Sequence, residues 1–518
     1  MNPIDFFDTG CRLAPAADCL IDGITGLRRS YLDVQEITKR VAAGLRRDLP
    51  RGARAAILGP NDAIGFAITL GCYRAGVVTV PLNHRNLSAE HILVMQARAA
   101  VLLFAHSSHA GSVAEFRAAL PGLRHVVVFG EATDWGGAVN LESWWGEPSD
   151  GEIDLPDDPD CVYCVQSTSG TTGMPKGVLW PARELEFTVA SFLYLTPYEG
   201  KPIMLAVAPL THAAGKVVHH LFLSAVIIVV LPVANATGIL DAIERWKITH
   251  LFLPPTIIYR LLDEPDLRRR NLSSLAYIIY GAAPMSPARL RDSLEAFGPV
   301  MAQAYGQTES GVPICCMGPA EHLVDGAPAG ERLKSVGRAG PLTRVEILDD
   351  HGRKLPDGEV GEIAVRSAGI MLGYDNDEEA TAATRAGPWH LTGDLGRRDK
   401  DGYFYLVDRK KDMIISGGFN VYCAEVEAVL NTHPSVNDSA VIGVPHDDWG
   451  EAVKAIVELK LDAELSADEL IHFCKQHLSP SKAPKTVDIV RQLPRSSAGK
   501  VLKRELRAPF WSEEGRLI

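Results

Sequence analysis

The chain has 518 residues, and at about 100–200 residues per domain this length predicts roughly three compact units. Hydrophobic residues make up 46% and charged residues 22%, which excludes a largely disordered chain because enough apolar surface is present to form a core. The 52 Lys and Arg residues against 64 Asp and Glu residues leave a formal charge of −12. That balance argues against nucleic acid as a partner, and any anionic ligand has to be bound by local groups.

The first residues, the longest apolar stretch and the cysteines indicate where the protein is expected to reside. The first residues contain no basic segment and no apolar run, so we expect no signal peptide. The longest apolar stretch, residues 221–233, is too short to span a bilayer, and its β-branched core is predicted as a buried strand of a parallel sheet. Nine thinly spread cysteines fit a reducing environment, so we expect a cytoplasmic protein with no integral membrane segment.

Strands and helices are predicted to alternate over the first 320 residues or so. Ser30 is predicted to cap an amphipathic helix, because Val34, Ile37, Val41 and Leu45 follow at helical spacing. The next helix is predicted over 64–73, and strands are predicted over 54–58, 77–82, 101–104, 126–129, 226–231, 250–253 and 277–280. This order predicts an α/β fold whose mostly parallel sheets are covered by helices.

The pattern changes twice in the rest of the chain. Short strands over 344–348, 361–366 and 403–407, separated by turns, predict a small antiparallel β unit from about residue 330. After residue 410, helices over 424–430 and 468–477 and strands over 439–442 and 454–459 predict a compact α+β domain. Ser466 and Glu469 form a capping box for its last helix.

The glycine positions exclude several enzyme classes. No two glycines are separated by a single residue, so the dinucleotide-binding and kinase glycine loops are both absent. The Walker A, GxSxG and HExxH patterns are missing as well. One glycine-rich loop remains, Ser167–Gly177, with five hydroxyl residues, three glycines and Lys176 directly after the apolar run 161–165. Its glycines let backbone N–H groups approach an anion, which predicts a polyphosphate-binding loop rather than a solvated turn.

This loop, STSGTTGMPKG, resembles the signature loop of the AMP-forming adenylating enzymes, namely acyl-CoA synthetases, peptide-synthetase adenylation domains and luciferases. The resemblance continues in order through the segments Pro209–His212, Gly281–Pro284, Tyr305–Glu309, Gly361–Ile363, Thr392–Asp394, Asp408–Asp412 and Pro494–Lys500. It implies a large N-terminal region over 1–410, with α/β subdomains over 1–325 and a small β-barrel over about 330–410. It also implies a small mobile α+β domain over 411–518.

The resemblance implies a reaction in two halves that uses ATP, Mg²⁺ and CoA. A carboxylate attacks the α-phosphorus of ATP to give acyl-AMP and pyrophosphate, and the CoA thiol then displaces AMP. Lys500, Lys176 and His212 are the implied catalytic residues, with Lys500 bridging the carboxylate and the phosphate across a domain interface. Glu309 is the implied Mg²⁺ ligand.

Further roles follow from the same resemblance. The implied ATP- and AMP-binding residues are Thr168, Ser169, Gly170, Thr171, Thr172, Gly173, Lys176, Gly281, Ala282, Ala283, Tyr305, Gly306, Gln307, Thr308, Asp394, Arg409 and Lys500. Lys411 is the implied hinge, and Gly417, Gly418 and Trp449 are the implied CoA-binding residues. The implied acyl pocket comprises Phe187, Phe192, His212, Ala213, Gly215, Tyr280 and Gly281. Cys423 stands where the family usually carries proline, which is expected to loosen the turn before a helix.

The leading interpretation is a free-standing ligase that joins a fatty or aryl carboxylic acid to CoA. An adenylating enzyme that loads a carrier protein and an inactive relative that acts as a binding or scaffold protein are the alternatives. The expected partners are the acid, ATP and CoA, and a homodimer stays open.

Overall fold

The computed structural model describes residues 1–131, 137–148, 157–168, 175–211, 213–416, 419–461, 463–495 and 501–511. Within these ranges the chain forms two compact units. The first unit comprises residues 1–168, 175–344 and 365–385, and the second comprises residues 345–364 and 386–511. Residues 410 and 411, the predicted domain boundary, both lie in the second unit, and the division at that point stays a prediction.

The strands of the first unit form two large sheets and one short hairpin. In chain order they are β1 (Asp18–Asp22), β2 (Arg28–Ser30), β3 (Arg54–Gly59), β4 (Val78–Asn83), β5 (Leu102–His106), β6 (His125–Phe129), β7 (Val139–Asn140), β8 (Val162–Ser167), β9 (Gly177–Pro181), β10 (Ile203–Ala206), β11 (Ile227–Val230), β12 (His250–Leu253), β13 (Tyr277–Gly281), β14 (Met301–Gln307), β15 (Gly311–Met317), β16 (Leu323–Val324), β17 (Ala327–Pro328) and β18 (Arg338–Ala339).

Helices alternate with these strands. In chain order they are α1 (Pro3–Leu13), α2 (Tyr31–Asp48), α3 (Ala63–Ala75), α4 (Ser88–Ala97), α5 (Val113–Ala119), α6 (Leu141–Trp144), α7 (Ala182–Leu195), α8 (Ala213–Phe222), α9 (Ala236–Trp246), α10 (Pro255–Leu262), α11 (Pro287–Phe297) and α12 (Glu378–Ala383). Short 3₁₀ turns cover Ser107–Ser112, Leu267–Arg269, Pro319–His322 and Gly330–Lys334.

Both large sheets are mostly parallel. The first has the order β18-β15-β14-β13-β12-β10-β11-β1-β2 and is parallel from β14 to β1. The second has the order β7-β6-β5-β3-β4-β8-β9 and is parallel except for the β8/β9 pair. The prediction of an α/β fold with helix-covered, mostly parallel sheets is therefore confirmed.

Local sequence signals explain where several elements begin. The Ser30 side chain accepts a hydrogen bond from the Asp33 N–H, and the Asp33 carboxylate accepts one from the Ser30 N–H, so α2 starts with a capping box. Ser466 and Glu469 form the same arrangement before the helix that starts at Ala467, as the sequence predicted. At the starts of α3 and α9, the Asp62 and Asn235 side chains each accept one N-cap hydrogen bond, from the N–H groups of Gly65 and Gly238.

The apolar stretch 221–233 contains the strand that the sequence predicts over 226–231. Its first residues end α8, and only Ile227–Val230 form a strand, β11. Ala225, at a positive φ of 50°, turns the chain between helix and strand, a change of direction that a continuous apolar run does not reveal. Across the described residues, no helix combines the length and apolarity needed to cross a membrane.

An aromatic core joins the helices of the first unit. Phe222 on α8 packs against Phe7 with ring centroids 5.4 Å apart, and it stacks on Phe66 at 6.4 Å. Tyr31 lies in the same core and is fully buried, and its hydroxyl donates to the Val226 carbonyl at 2.8 Å. The buried tyrosine thus satisfies its polar atom while it adds apolar area.

The second unit is built from ten strands, some of which it shares with the first unit at its boundaries, and three helices within the described residues. Its strands, including those at its boundaries, are β19 (Arg344–Leu348), β20 (Gly361–Arg366), β21 (Arg385–Ala386), β22 (Trp389–Arg398), β23 (Phe404–Arg409), β24 (Ile414–Ser416), β25 (Phe419–Val421), β26 (Val436–His446), β27 (Gly450–Leu459) and β28 (Thr486–Val490). Its helices are α13 (Cys423–Leu430), α14 (Ala467–His477) and α15 (Lys503–Arg507), followed by a 3₁₀ turn at Ala508–Phe510.

Two sheets organise these elements. One has the order β19-β20-β22-β21 with β23 antiparallel to β22, and the other has the order β25-β24-β27-β26 with β28 parallel to β27. The long antiparallel β26/β27 pair packs against α13 and α14 through Val426, Leu430, Leu470 and Cys474, all fully buried. This part matches the predicted α+β pattern, with strands that extend several residues beyond the predicted ends.

Candidate active site

The predicted phosphate loop connects two paired strands. Strands β8 and β9 are antiparallel with Ser167 opposite Gly177, and the Thr168 N–H donates to the Lys176 carbonyl at 2.9 Å. The two ends of the loop are therefore held side by side by backbone hydrogen bonds. The predicted contacts of Ser169, Gly170, Thr171, Thr172 and Gly173 lie outside the described residues.

Lys176, the cation of this loop, has two neighbours in the first unit. Its Nζ lies 3.8 Å from Asp377 Oδ2 and 4.7 Å from the ring centroid of Tyr374. These neighbours hold the lysine ammonium in place. The side chain is 38% exposed, so the ammonium is still accessible to a ligand. The aromatic face and the carboxylate both attract the ammonium group.

Tyr374 also contacts Glu309, the predicted magnesium ligand. Its hydroxyl donates to Glu309 Oε1 at 3.1 Å, and the Glu309 carbonyl accepts from the Met371 N–H at 2.9 Å. Burial and the Glu309 charge raise the pKa of Tyr374, which therefore stays a neutral donor. Lys176 and Glu309 are thus brought together by one tyrosine, which contacts the lysine through its ring and the glutamate through its hydroxyl. Sequence reasoning missed this tyrosine.

The predicted adenine turn and the segment before Glu309 lie at the carboxyl ends of two neighbouring parallel strands, β13 and β14. Gly281 ends β13 opposite Ala304 on the neighbouring parallel strand β14, which continues through Tyr305, Gly306 and Gln307. A side chain at Gly281 would overlap the Ala304 carbonyl, so glycine lets the two strands approach. Carboxyl ends of adjacent parallel strands are a common place for ligand sites.

The turn after β13 is conformationally unusual. Ala282 has a positive φ of 66°, a left-handed backbone that is rare outside glycine, and Ala283 follows it before α11. Tyr280 is fully buried, and its hydroxyl lies 2.9 Å from His322 Nε2 and 3.1 Å from Gln303 Oε1. Tyr280 therefore supports the turn through buried polar contacts.

Thr308 is linked to the phosphate-loop strand. The indole N–H of Trp180, on β9, donates to the Thr308 carbonyl at 2.7 Å. The Trp180 ring also contacts Lys216, whose Nζ lies 3.2 Å from the ring centroid. One tryptophan thus connects the loop, the segment 305–309 and α8.

Three predicted acyl-pocket residues, Phe187, Phe192 and Gly215, lie on two helices, α7 and α8. Phe187 on α7 is buried beside Gly311 and Gly369, where added Cβ atoms would meet its ring. Phe192 is buried as well and stacks on His220 at 5.5 Å. Gly215 on α8 packs so closely on the Leu210 carbonyl that a side chain would overlap it. His212 and the side chain of Ala213 lie outside the described residues.

A small cavity of about 20 Å³ lies beside this segment, lined in part by Thr211, Gly215, Lys216 and His219. Lys216 is almost fully buried and pairs with the equally buried Glu184 at 2.6 Å. Burial lowers the pKa of Lys216, and the Glu184 charge opposes that shift. The cavity has room for about one water molecule, and the sequence offered only an isolated lysine in an apolar helix as a signal.

Asp394 and Arg409 meet in the second unit. They lie opposite each other on the antiparallel strands β22 and β23, with Arg409 Nε 3.5 Å from Asp394 Oδ1. The Gly393 N–H donates to Glu362 Oε1 at 2.9 Å, and Lys410 Nζ lies 3.0 Å from the other oxygen of that carboxylate. The predicted ribose contacts therefore share one rigid strand pair.

The predicted hinge segment, residues 408–412, is held by contacts with Cys423 and Arg507, which lie later in the chain. The Cys423 N–H donates to the Asp408 carboxylate, and the Cys423 thiol donates to the Asp412 carbonyl at 2.9 Å. Arg507 forms an ion pair with Asp412. Proline could not supply the N–H at residue 423, so cysteine adds a contact where the sequence predicted only a looser turn. Burial lowers the pKa of Lys411, the predicted hinge residue.

Trp449 lies at the β26/β27 turn and is 40% exposed. Its ring stacks on His446 with centroids 4.3 Å apart and planes 9° apart, and Lys485 Nζ lies 5.2 Å from its centroid. A half-exposed aromatic ring beside a lysine suits a planar anionic ligand. Gly417, Gly418 and Lys500 lie outside the described residues.

Glu309 fits the oxygen chemistry of Mg²⁺. The Tyr374 hydroxyl orients its carboxylate, and Mg²⁺ is commonly bound by one or two carboxylates together with phosphates and water. Among the described residues, no group of three or more His, Cys, Asp or Glu residues could hold a metal ion by itself. The site therefore suits a metal that arrives with a phosphate ligand.

Known proteins define the family. A family model described as AMP-binding enzyme matches residues 7–375, and one described as AMP-binding enzyme C-terminal domain matches residues 425–500. The chain belongs to the AMP-binding enzyme family, which confirms the resemblance and the prediction of an enzyme of the ligase class.

Two curated relatives and one solved structure illustrate the family. The chain is 39% identical over 372 residues to the medium/long-chain-fatty-acid–CoA ligase FadD8 of Mycobacterium tuberculosis, a match that covers 70% of this chain and 64% of that protein. It is 35% identical over 502 residues to feruloyl-CoA synthase of an Amycolatopsis species, covering 96% and 97%. ATP-bound MatB from Rhodopseudomonas palustris is 27% identical with a TM-score of 0.86, covering 98% and 99%.

Asp408 generates a prediction about pH. Burial raises its pKa from 3.8 to about 6, so the folded chain binds a proton more tightly than the unfolded chain does. The free energy of unfolding therefore falls as pH rises from about 4 to 6, by roughly 2–3 kcal/mol from this group. Asp408→Asn should flatten that dependence in urea unfolding measured between pH 4 and 8. Asp447→Asn, which changes an exposed carboxylate, should keep the wild-type slope, and equal slopes for Asp408→Asn and wild type would contradict the assignment.

Proposed function

We propose that this chain is an ATP-dependent ligase that joins a carboxylic acid to CoA. The acid and ATP give acyl-AMP and pyrophosphate, and the CoA thiol then displaces AMP to give acyl-CoA. The observation that carries the proposal is the grouping of Lys176, Tyr374 and Glu309 beside the closed ends of the phosphate loop. Family membership and the relatives that are acid–CoA ligases support it.

The first half-reaction needs positive charge at the phosphates. Lys176 and Lys500 are proposed to stabilise the negative charge that develops when the carboxylate attacks the α-phosphorus. Backbone N–H groups of the glycine-rich loop would bind the β- and γ-phosphates. Glu309 would hold Mg²⁺, which neutralises phosphate charge when bound. Thr308 is proposed to contact the α-phosphate.

The nucleoside is proposed to bind at the edge formed by β13 and β14. Gly281, Ala282 and Ala283 would line the adenine site, and Tyr305 would stack near the base. The Asp394 carboxylate suits the ribose diol because it only accepts hydrogen bonds, and Arg409 would fix its orientation. These roles rest on the family and on the placement of each residue within its own unit.

The second half-reaction is proposed to use other groups. Gly417 and Gly418 would leave room for the pantetheine chain, and Trp449 would stack on the CoA adenine beside Lys485. Rotation at Lys411 would exchange the two sets of catalytic groups. His212 would orient the acyl group.

The acid is proposed to be a fatty or aryl carboxylic acid. Phe187 and Phe192 are buried apolar residues on α7, and the relatives named above act on fatty acids and on ferulate by their names. A carrier protein as the acceptor thiol is the second candidate, since a relative 32% identical over 499 residues is named a fatty acid–[acyl-carrier-protein] ligase.

The decisive measurement is pyrophosphate release with a panel of aliphatic and aromatic acids, with and without CoA. We expect turnover with at least one acid, AMP as the nucleotide product, and acyl-CoA only when CoA is present. ADP as the nucleotide product contradicts the proposal. No turnover with any acid contradicts it as well and leaves the inactive scaffold protein. Turnover that never depends on CoA favours the carrier protein as acceptor.

Lys500→Ala is expected to lower the rate of acyl-AMP formation by about 10²–10³-fold, because one preorganised charge at the phosphate is lost. Acid-dependent exchange of pyrophosphate into ATP measures this half-reaction alone. Lys400→Ala removes an exposed lysine from a turn of the second unit and serves as the matched control. Equal exchange rates in the two variants would remove Lys500 from the mechanism.

Trp449→Ala is expected to raise the KM for CoA by roughly tenfold, because a stacked base loses about 1–3 kcal/mol of contact. The rate of pyrophosphate exchange should stay at the wild-type value, since that half-reaction precedes CoA binding. Steady-state kinetics with varied CoA measures the effect. An unchanged KM for CoA would leave Trp449 as a ring that only packs on His446.

A further inference from the structure

A buried cluster of two arginines and one aspartate lies against Pro175 and Gly177, the residues on either side of Lys176. Arg54 donates from both terminal nitrogens to the Asp375 carboxylate at 2.8 Å each. Arg98 Nη1 donates to Asp375 Oδ2 at 3.2 Å, and Arg54 Nη1 also donates to the Arg98 carbonyl at 3.0 Å. The Arg98 and Asp375 side chains are 6% and 4% exposed, so the cluster belongs to the interior.

Arg98 and Asp375 both contact the chain on either side of Lys176. Arg98 Nη2 donates to the Pro175 carbonyl at 2.6 Å, and the Asp375 N–H donates to the Gly177 carbonyl at 2.7 Å. A Cβ atom at Gly177 would lie 2.7 Å from the Arg98 guanidinium carbon. The glycine at 177 is therefore what allows the guanidinium to lie against the backbone.

The same cluster holds the neighbours of the Lys176 side chain. Asp375 lies between Tyr374 and Asp377, the two residues that face the Lys176 ammonium. The segment 372–375 runs along β9, with the Leu179 N–H donating to the Gly373 carbonyl at 3.0 Å. The backbone of Lys176 and the groups that surround its ammonium are thus fixed by one set of contacts.

The cluster also carries a surplus of charge. Two guanidinium groups face one carboxylate, and Arg98 Nε is buried with no hydrogen-bond partner among the described residues. A buried ion pair is rarely retained for stability alone, because desolvation offsets much of the attraction. Arginine is suited to this place because its planar fork binds a carboxylate and a carbonyl at fixed angles.

We propose that Arg98, held by Asp375 and Arg54, is a positioning residue that places Lys176 for binding the phosphates of ATP. The proposal rests on the proposed function for the identity of the ligand. It assigns Arg98 no contact with substrate: the arginine acts through the Pro175 carbonyl and through Asp375. A role in stability alone is the competing explanation, and the two differ in their effect on ATP.

The test compares Arg98→Met and Arg98→Lys in the full chain. We expect Arg98→Met to weaken ATP binding by about tenfold or more, as loss of an orienting group typically does. The KM for ATP should rise in parallel while the KM for the acid stays unchanged. Arg98→Lys keeps the charge and lacks the fork, so it should restore the thermal stability and leave ATP binding weak. Equilibrium titration with ATP measures binding without any turnover.

Arg74→Met is the matched control, because Arg74 is 7% exposed and pairs with Asp8 in the same unit without contacting the loop. It should lower the melting temperature and leave ATP binding unchanged. If Arg98→Met lowers only the melting temperature, or if Arg74→Met weakens ATP binding equally, the cluster is purely structural and the proposal is wrong.

Two outcomes separate this proposal from the proposed function. Wild type that binds ATP without turnover on any acid overturns the ligase, while the titrations still decide the role of Arg98. Wild type that binds no ATP overturns both. If Arg98→Met does not fold, Arg54→Lys tests the same cluster from its more exposed end, where the side chain is 24% exposed, and unchanged ATP binding there overturns the proposal.

Discussion

The candidate active site depends on one short hairpin, formed by β8 and β9, that pairs the two ends of a loop rich in hydroxyl and glycine residues. The pairing of Ser167 with Gly177 and the hydrogen bond from Thr168 to Lys176 fix the two ends of this loop. A chain with a net charge of −12 has no general attraction for a polyphosphate, so binding has to come from groups held close together. The hairpin holds such groups close together, and Lys176 lies directly before Gly177, where β9 begins.

The rest of the first unit fixes the surroundings of this hairpin. Trp180 on β9 reaches the Thr308 carbonyl, which belongs to the edge of the other large sheet. Tyr374 spans from the Lys176 ammonium to the Glu309 carboxylate. Both large sheets, which share a hydrophobic core, thus contribute to one candidate polar site through two aromatic side chains, each of which has a polar atom for one contact and a ring for the other.

The sequence predicts the local features well and the distant ones poorly. Capping by Ser30 and Ser466 and the strand at Tyr277–Gly281 follow from neighbours a few residues apart. The loop, Lys176 and Glu309 are recognisable because each lies in a short motif. Motifs of this kind keep their spacing whatever the rest of the chain does.

Asp375 and Arg54 show why contacts between distant residues cannot be predicted from the sequence. They are 321 residues apart and meet only in the folded chain, and each is an ordinary charged residue in the sequence. Lys216 and Glu184 form a buried pair for the same reason. In the stretch 221–233 the strand is predicted and the end of α8 is not, since apolar residues continue through the end of a helix, a turn at Ala225 and a strand without any change in composition.

Trp180 has an optical consequence. Its indole N–H is fixed to the Thr308 carbonyl, and the Lys216 ammonium covers one face of its ring. Both contacts set the electric field along the indole, which determines the colour of tryptophan emission. A ligand that moves Thr308 is therefore expected to shift the emission of Trp180, one of eight tryptophans in the chain, which makes this residue a spectroscopic probe of the segment beside Glu309.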